Sequence, residues 1–188
     1  ERRNVVGAFD GGTITSDAGA LLLGQTDKAI RLVSRLADCF QDGRNPAFVV
    51  HQLPAMLRQR IFGIALGYED INDHDQLRHD PVLGVLANSL TRKRSDCAPL
   101  AGKSTLNRLE HAAKVGSDPY HKITHDPAAI EDLFVMLMME AHDEPPRRLV
   151  IDIDATHDPI HGEQEGRHFN AFYDCYCYLP LYIFAGRH

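Results

Sequence analysis

Leu149, Val150 and Ile151 run directly into Asp152, Ile153 and Asp154, with Ala155 and Thr156 behind them. An apolar run of this kind reads as a buried strand, and side chains alternate faces along a strand. Asp152 and Asp154 therefore point the same way. Two ionised carboxylates at the end of a buried strand repel one another and lose hydration. A divalent cation removes that cost, because hard cations prefer oxygen ligands. The segment points to metal-assisted chemistry on phosphate esters.

The 188 residues suffice for one domain with a sizeable core or for two small ones. With 44% hydrophobic and 24% charged residues, the composition is that of an ordinary globular protein. No apolar run is long enough to span a membrane, and no secretory leader opens the chain, so no membrane partner is expected. The first residue is Glu1, and His188 follows directly on a strand-like run, Tyr182 to Phe184. Those ends suggest a truncated chain. A cytoplasmic location with reduced thiols is the default for Cys39, Cys97, Cys175 and Cys177. Cys175 and Cys177 form a C-x-C pair, read as strand packing ahead of zinc ligation with a nearby His. The net charge of −6 does not favour a protein wrapped in nucleic acid, although it leaves room for a basic face. Arg92, Lys93 and Arg94 are one candidate and Arg58, Arg60, Lys103 and Arg108 are scattered others, each read singly as solvated surface first.

Along the chain, Val5 to Phe9 reads as a short strand. Ser16 or Asp17 is expected to cap a helix running through Leu21 to Leu36. A second helix is expected from about Ala47 to Leu66, kinked or split at Pro54 and ended by Gly67. Ser104 reads as the cap of a helix bearing Leu106 and Leu109. Asp126 and Pro127 place a cap and an N1 proline before a helix whose Leu133, Phe134 and Leu137 face should pack. Glu144, Pro145 and Pro146 mark the boundary between residues 1–144, a mostly helical region and candidate DNA-binding part, and residues 147–188. Beyond it, three strands are expected: Leu149 to Ile153, His168 to Asp174, and Tyr176 to Phe184, the last interrupted by Pro180. The fold class is α+β.

Two phosphate chemistries fit a strand ending in D-x-D-x-T. In haloacid-dehalogenase-like phosphatases the first Asp is a nucleophile and the second an acid/base, which would make Asp152 the nucleophile. That fold needs a helix after the motif and further parallel strands, and the residues after Thr156 look instead like antiparallel strands with short turns. The other reading rests on more of the chain. Phe9-Asp10-Gly11-Gly12, Ser16-Asp17-Ala18-Gly19, Leu57-Arg58-Gln59-Arg60 and Ala65-Leu66-Gly67-Tyr68-Glu69-Asp70 occur in order with Asn72-Asp73. Ser104 to Glu110, Gly162-Glu163-Gln164-Glu165-Gly166 and Cys175-Tyr176-Cys177-Tyr178-Leu179-Pro180-Leu181 follow. Together they resemble the N-terminal part of DDE transposases of bacterial insertion sequences, specifically the group 1 DDE domain of the insertion sequence 1380 family.

The resemblance implies the first three strands of an RNase H-like domain at residues 147–188, incomplete in this chain. It implies Mg²⁺ or Mn²⁺ as cofactor in the intact enzyme, insertion-sequence terminal repeats and target DNA as partners, and leaves room for a homodimer. Asp154, followed by a small residue and Thr, matches the family's first catalytic and metal-binding Asp; Asp152 is the runner-up for both roles. The family's second Asp and its Glu come later in the chain than any residue here. Asp158, Glu163, Glu165 and Asp174 do not replace them merely by being acidic. The fragment alone is expected to bind metal weakly and not to cleave DNA, which leaves its standing as an enzyme open. A non-catalytic DNA-binding remnant is the alternative. His157 and His161 read as turn residues rather than metal ligands, and Asn107 and Arg108 as a solvated helix face or one that meets DNA.

Overall fold

In this computed structural model the described residues are 11–12, 14–91, 93, 96–111, 113–114, 122–164 and 166–186. The strand expected at Val5 to Phe9, together with Arg92, Arg94 and Glu165, lies outside them. The chain mixes helix and sheet, as expected, and divides into two compact units, Glu1–Leu133 and Phe134–His188.

The first unit opens with α1 (Ala20–Ile30) and α2 (Leu32–Asp38), where the sequence suggested one continuous helix. The break is at Arg31, which adopts φ 55, a left-handed conformation that costs a non-glycine residue energy. Buried Asp27 supports it. Its carboxylate accepts the Val33 N–H at 2.8 Å, serving an orphan donor in the first turn of α2, and faces Arg58 at 3.6 Å. Neither Ser16 nor Asp17 caps α1; Gly19 holds that position with no side-chain bond.

After β1 (Phe40–Asp42) and a 3-10 turn at Pro46–Phe48 comes α3 (Leu53–Ala65). Pro54 does not kink this helix. It sits in the first turn, where its missing N–H costs nothing. The helix ends as expected at Gly67, φ 94. Gly67 N–H bonds Ile64 O and Tyr68 N–H bonds Gly63 O, each at 2.9 Å, which closes the end in a Schellman arrangement. Two short helices follow, α4 (His74–Leu77) and α5 (Pro81–Leu86). Asp80 caps α5 by accepting from Val82 and Leu83, with Pro81 behind it.

The next helix is α6 (Lys103–Glu110). Ser104 is not its cap. Gly102 occupies that position, and Asp75, brought from α4, accepts the Lys103 N–H at 3.2 Å. This bond, with Lys103 beside it, holds the Asp75 carboxyl below the usual carboxylate range. The short strands β2 (Ala113–Lys114) and β3 (Ile123–His125) join β1 in a sheet ordered β1-β3-β2, so the helical region carries a small sheet of its own. Met56, Leu57, Phe62, Leu83, Leu100 and Leu106 form the centre of the core between these helices.

Asp126 caps α7 (Pro127–Glu140) as its sequence suggests, accepting from Ala128 and Ala129. The apolar face is narrower than expected. Leu133 is buried and Leu137 half-buried, but Phe134 is 58% exposed. Helical spacing gave the stripe; tertiary contact decides which part of it is covered.

In the second unit the three expected strands are five. They are β4 (Ile151–Ala155), β5 (Asp158–Pro159), β6 (His168–Asn170), β7 (Cys175–Tyr178) and β8 (Leu181–Ala185). The Tyr176 to Phe184 run is two strands, broken at Leu179 and Pro180. They serve different sheets: β8 pairs antiparallel with β4, while β7 lies between β5 and β6. The first strand lies two residues later than its apolar pattern suggested. No helix follows Thr156 among the described residues, as a dehalogenase-like phosphatase would need. No helix is long and apolar enough to cross a membrane among the described residues.

Candidate metal and nucleic-acid sites

Asp152 and Asp154 lie on β4, with Asp154 next to its last residue. The register sets Asp152 opposite Phe184 and Asp154 opposite Tyr182. Residues paired across an antiparallel ribbon share a face, so both carboxylates and both rings occupy one side. The two rings stack with centroids 6.3 Å apart at 25°. Ile151, Ile153, Leu181 and Ile183 take the other side. All five residues of β4 are exposed, so the strand is not the buried one that its apolar run suggested, and no burial cost weighs on the two carboxylates. Neither carboxylate has a hydrogen-bond or ion-pair partner among the described residues. Pro180, which ends the gap between β7 and β8, accepts the Thr156 N–H at 3.1 Å and fixes the exit from β4.

Two unpartnered oxygen donors on an open strand face suit Mg²⁺, which keeps several waters and takes one or two carboxylates. Two positions along a strand are about 6.7 Å apart, so both reach one ion only by leaning together. No third acidic side chain joins them closely enough to share an ion among the described residues. Asp158 pairs with Tyr178 in β5, Glu163 faces Arg167 at 3.4 Å, and Asp174 takes φ 51 in the β6–β7 turn.

A second group of donors forms where the sequence favoured packing and turns. The side chains of Cys175 and Cys177 share a face of β7, and His157 enters beside them from the position just before β5. The three ligand atoms lie within 4.8 Å of one another. His157 Nε2 is 3.2 Å from Cys175 Sγ, and its ring stacks on Tyr173 at 3.9 Å. Cys177 is fully buried. Burial pushes its thiol up, and Cys175 and Asp158 push the same way. His161 is exposed and takes no part.

The candidate basic residues of the first unit are partly neutralised within the protein. Arg60 pairs with Glu110 and donates to the Tyr68 and Glu69 carbonyls. Arg58 faces Asp27, Lys103 faces Asp75 at 3.3 Å, and Lys93 donates to the Val49 carbonyl. Two clefts of about 390 Å³ each flank the first turn of α6. Asn107 and Arg108 line one with Ile71 and Asn72; Arg78, His79, Asp75 and Asp96 line the other. Neither is lined by Asp152 or Asp154.

No curated protein and no solved structure matches the chain significantly. A family profile does, and its match runs over residues 1–188. That span takes in the carboxylate strand, the β5-β7-β6 sheet and the helical region alike, so the chain belongs to the family described as transposase DDE domain group 1.

Proposed function

We propose that the protein is a transposase of the insertion sequence 1380 type that cuts and joins DNA at insertion-sequence ends, with Asp154 as the first catalytic carboxylate. Family membership supports transposase function and, in general terms, DNA as partner and a divalent metal as cofactor. The observation that carries the site is the placement of Asp154. It stands near the end of β4, exposed, on one face with Asp152 and without a competing partner among the described residues. The domain begun at β4 is read as RNase H-like, and the cytoplasm is the compartment this reading implies.

Asp154 and Asp152 would hold Mg²⁺ or Mn²⁺. Such an ion, when bound, supplies activation of a water or DNA 3′-hydroxyl and charge stabilisation at the leaving oxygen. The chain's own contribution is orientation. The β4–β8 ladder fixes the direction of both carboxylates, and the Thr156–Pro180 bond fixes where the strand ends. The cleft containing Asn107 and Arg108 is the candidate contact for terminal-repeat or target DNA.

With no third carboxylate in reach among the described residues, a second reading keeps one observation in its favour: this chain binds DNA and does not cut it by itself. Titration with Mn²⁺, followed by water-proton relaxation, tests the carboxylate site that both readings share, and a DNA-cleavage assay separates the readings. Weak binding that Asp154→Asn abolishes supports the proposed site. Binding unchanged in that variant removes Asp154 from it.

A further inference from the structure

We propose that His157, Cys175 and Cys177 bind a Zn²⁺ ion, in a site whose donors are distinct from the carboxylates of β4. All three donors belong to the second compact unit, and β5–β7 pairing brings them together: Asp158 opposes Tyr178 and Pro159 opposes Cys177. Zinc bonds thiolate at about 2.3 Å and imidazole at about 2.1 Å, so a tetrahedral site spaces its donors by roughly 3.6–3.8 Å. The three atoms here fall within 4.8 Å, and the His157–Cys175 pair at 3.2 Å. Movements of a few tenths of an ångström to about one ångström close the set around an ion. Thiolate and imidazole select zinc over the Mg²⁺ that carboxylates hold.

Two rival explanations predict less. A disulfide between Cys175 and Cys177 would join strand residues about 6.7 Å apart, at the upper limit of Cα separation for that bond. Thiol–imidazole packing accounts for the 3.2 Å contact but not for a third soft donor on a fully buried sulfur. Tyr173, stacked on the His157 ring, holds the imidazole in place for an ion as an outer partner does. Solvent takes the fourth position. Binding expels the two thiol protons, leaving a Zn²⁺–bisthiolate–imidazole centre. Since His157 stands three residues after Asp154, the ion ties the exit of the carboxylate strand to β7.

The test uses the untagged chain, stripped with chelator under reducing conditions and titrated with Co²⁺ and then Zn²⁺. Stoichiometric Co²⁺ should give visible ligand-field bands of tetrahedral cobalt and near-ultraviolet thiolate-to-cobalt charge transfer, both erased by Zn²⁺ and unaffected by excess Mg²⁺. Cys175→Ser and His157→Gln should each lose these bands, while Asp154→Asn keeps them. Cys177 is buried, so the wild-type spectrum and the two more accessible variants carry the result even if Cys177→Ser fails to fold. A reduced wild-type chain without charge transfer at saturating Co²⁺, or bands that persist in both variants, overturns the proposal.

Discussion

Gln59 holds both backbone groups of Ala101: its Nε2 donates to the Ala101 carbonyl at 2.7 Å, and its Oε1 accepts the Ala101 N–H at 3.0 Å. Both residues are about 1% exposed. The same Nε2 lies 3.1 Å from His74 Nδ1. One amide thus joins α3, α4 and the segment entering α6. Gln59→Leu conserves the approximate volume but leaves two buried backbone groups unpaired, each costing about 1–3 kcal/mol. Urea unfolding should show a loss of about 2–6 kcal/mol. A midpoint within error of wild type would show that water reaches Ala101.

Leu133 and Leu137 should respond differently to truncation. Leu133→Ala removes a side chain that is 4% exposed and should cost about 2–5 kcal/mol. Leu137 is half-buried, so its Ala variant should cost less, and Phe134→Ala less again. Chemical denaturation of the three variants gives the order. Equal losses at Leu133 and Phe134 would contradict the burial of α7.

Stability should fall on mild acidification. His74 is fully buried, and burial, with Arg60 nearby, holds its imidazole below the ordinary 6.5. Burial, then Arg44, Arg78 and Lys93, does the same for His51. Each ring stays neutral in the folded chain and takes its proton more readily when unfolded. The stability each contributes is therefore present above 6.5 and is lost as pH falls through 6.5 towards the depressed folded value. The unfolding midpoint should drop between about pH 7.5 and about pH 5.5, and less steeply in His74→Gln. An identical slope in that variant would remove His74 from the account.

Much of the local structure was legible because its causes are local. Asp126 with Pro127 starts a helix through an adjacent carboxylate and a fixed φ, and Gly67 ends one because it tolerates φ 94. What escaped the sequence depends on distant partners. The break at Arg31 rests on a carboxylate folded back onto Val33, and the start of α6 on Asp75 from another helix. Aromatic and aliphatic residues run through Tyr176 to Phe184 with one proline, and nothing local says that its halves join different sheets. Asp152 and Asp154 were legible as a same-face pair because strand alternation is local. His157 and Cys175 are 18 residues apart and meet only once β5 pairs with β7.

The most direct test of the central claim is strand transfer by the protein carrying Asp154→Asn, compared with wild type, with terminal-repeat DNA and Mg²⁺. Losing an outer partner of a metal ligand typically costs 10–100-fold, so losing the ligand itself should cut transfer by at least about 100-fold. Terminal-repeat binding in a gel-shift assay should be retained, because the change removes a metal ligand and no phosphate contact. Asp152→Asn under the same conditions shows whether the second carboxylate shares the role. Transfer at wild-type level in Asp154→Asn would contradict the account.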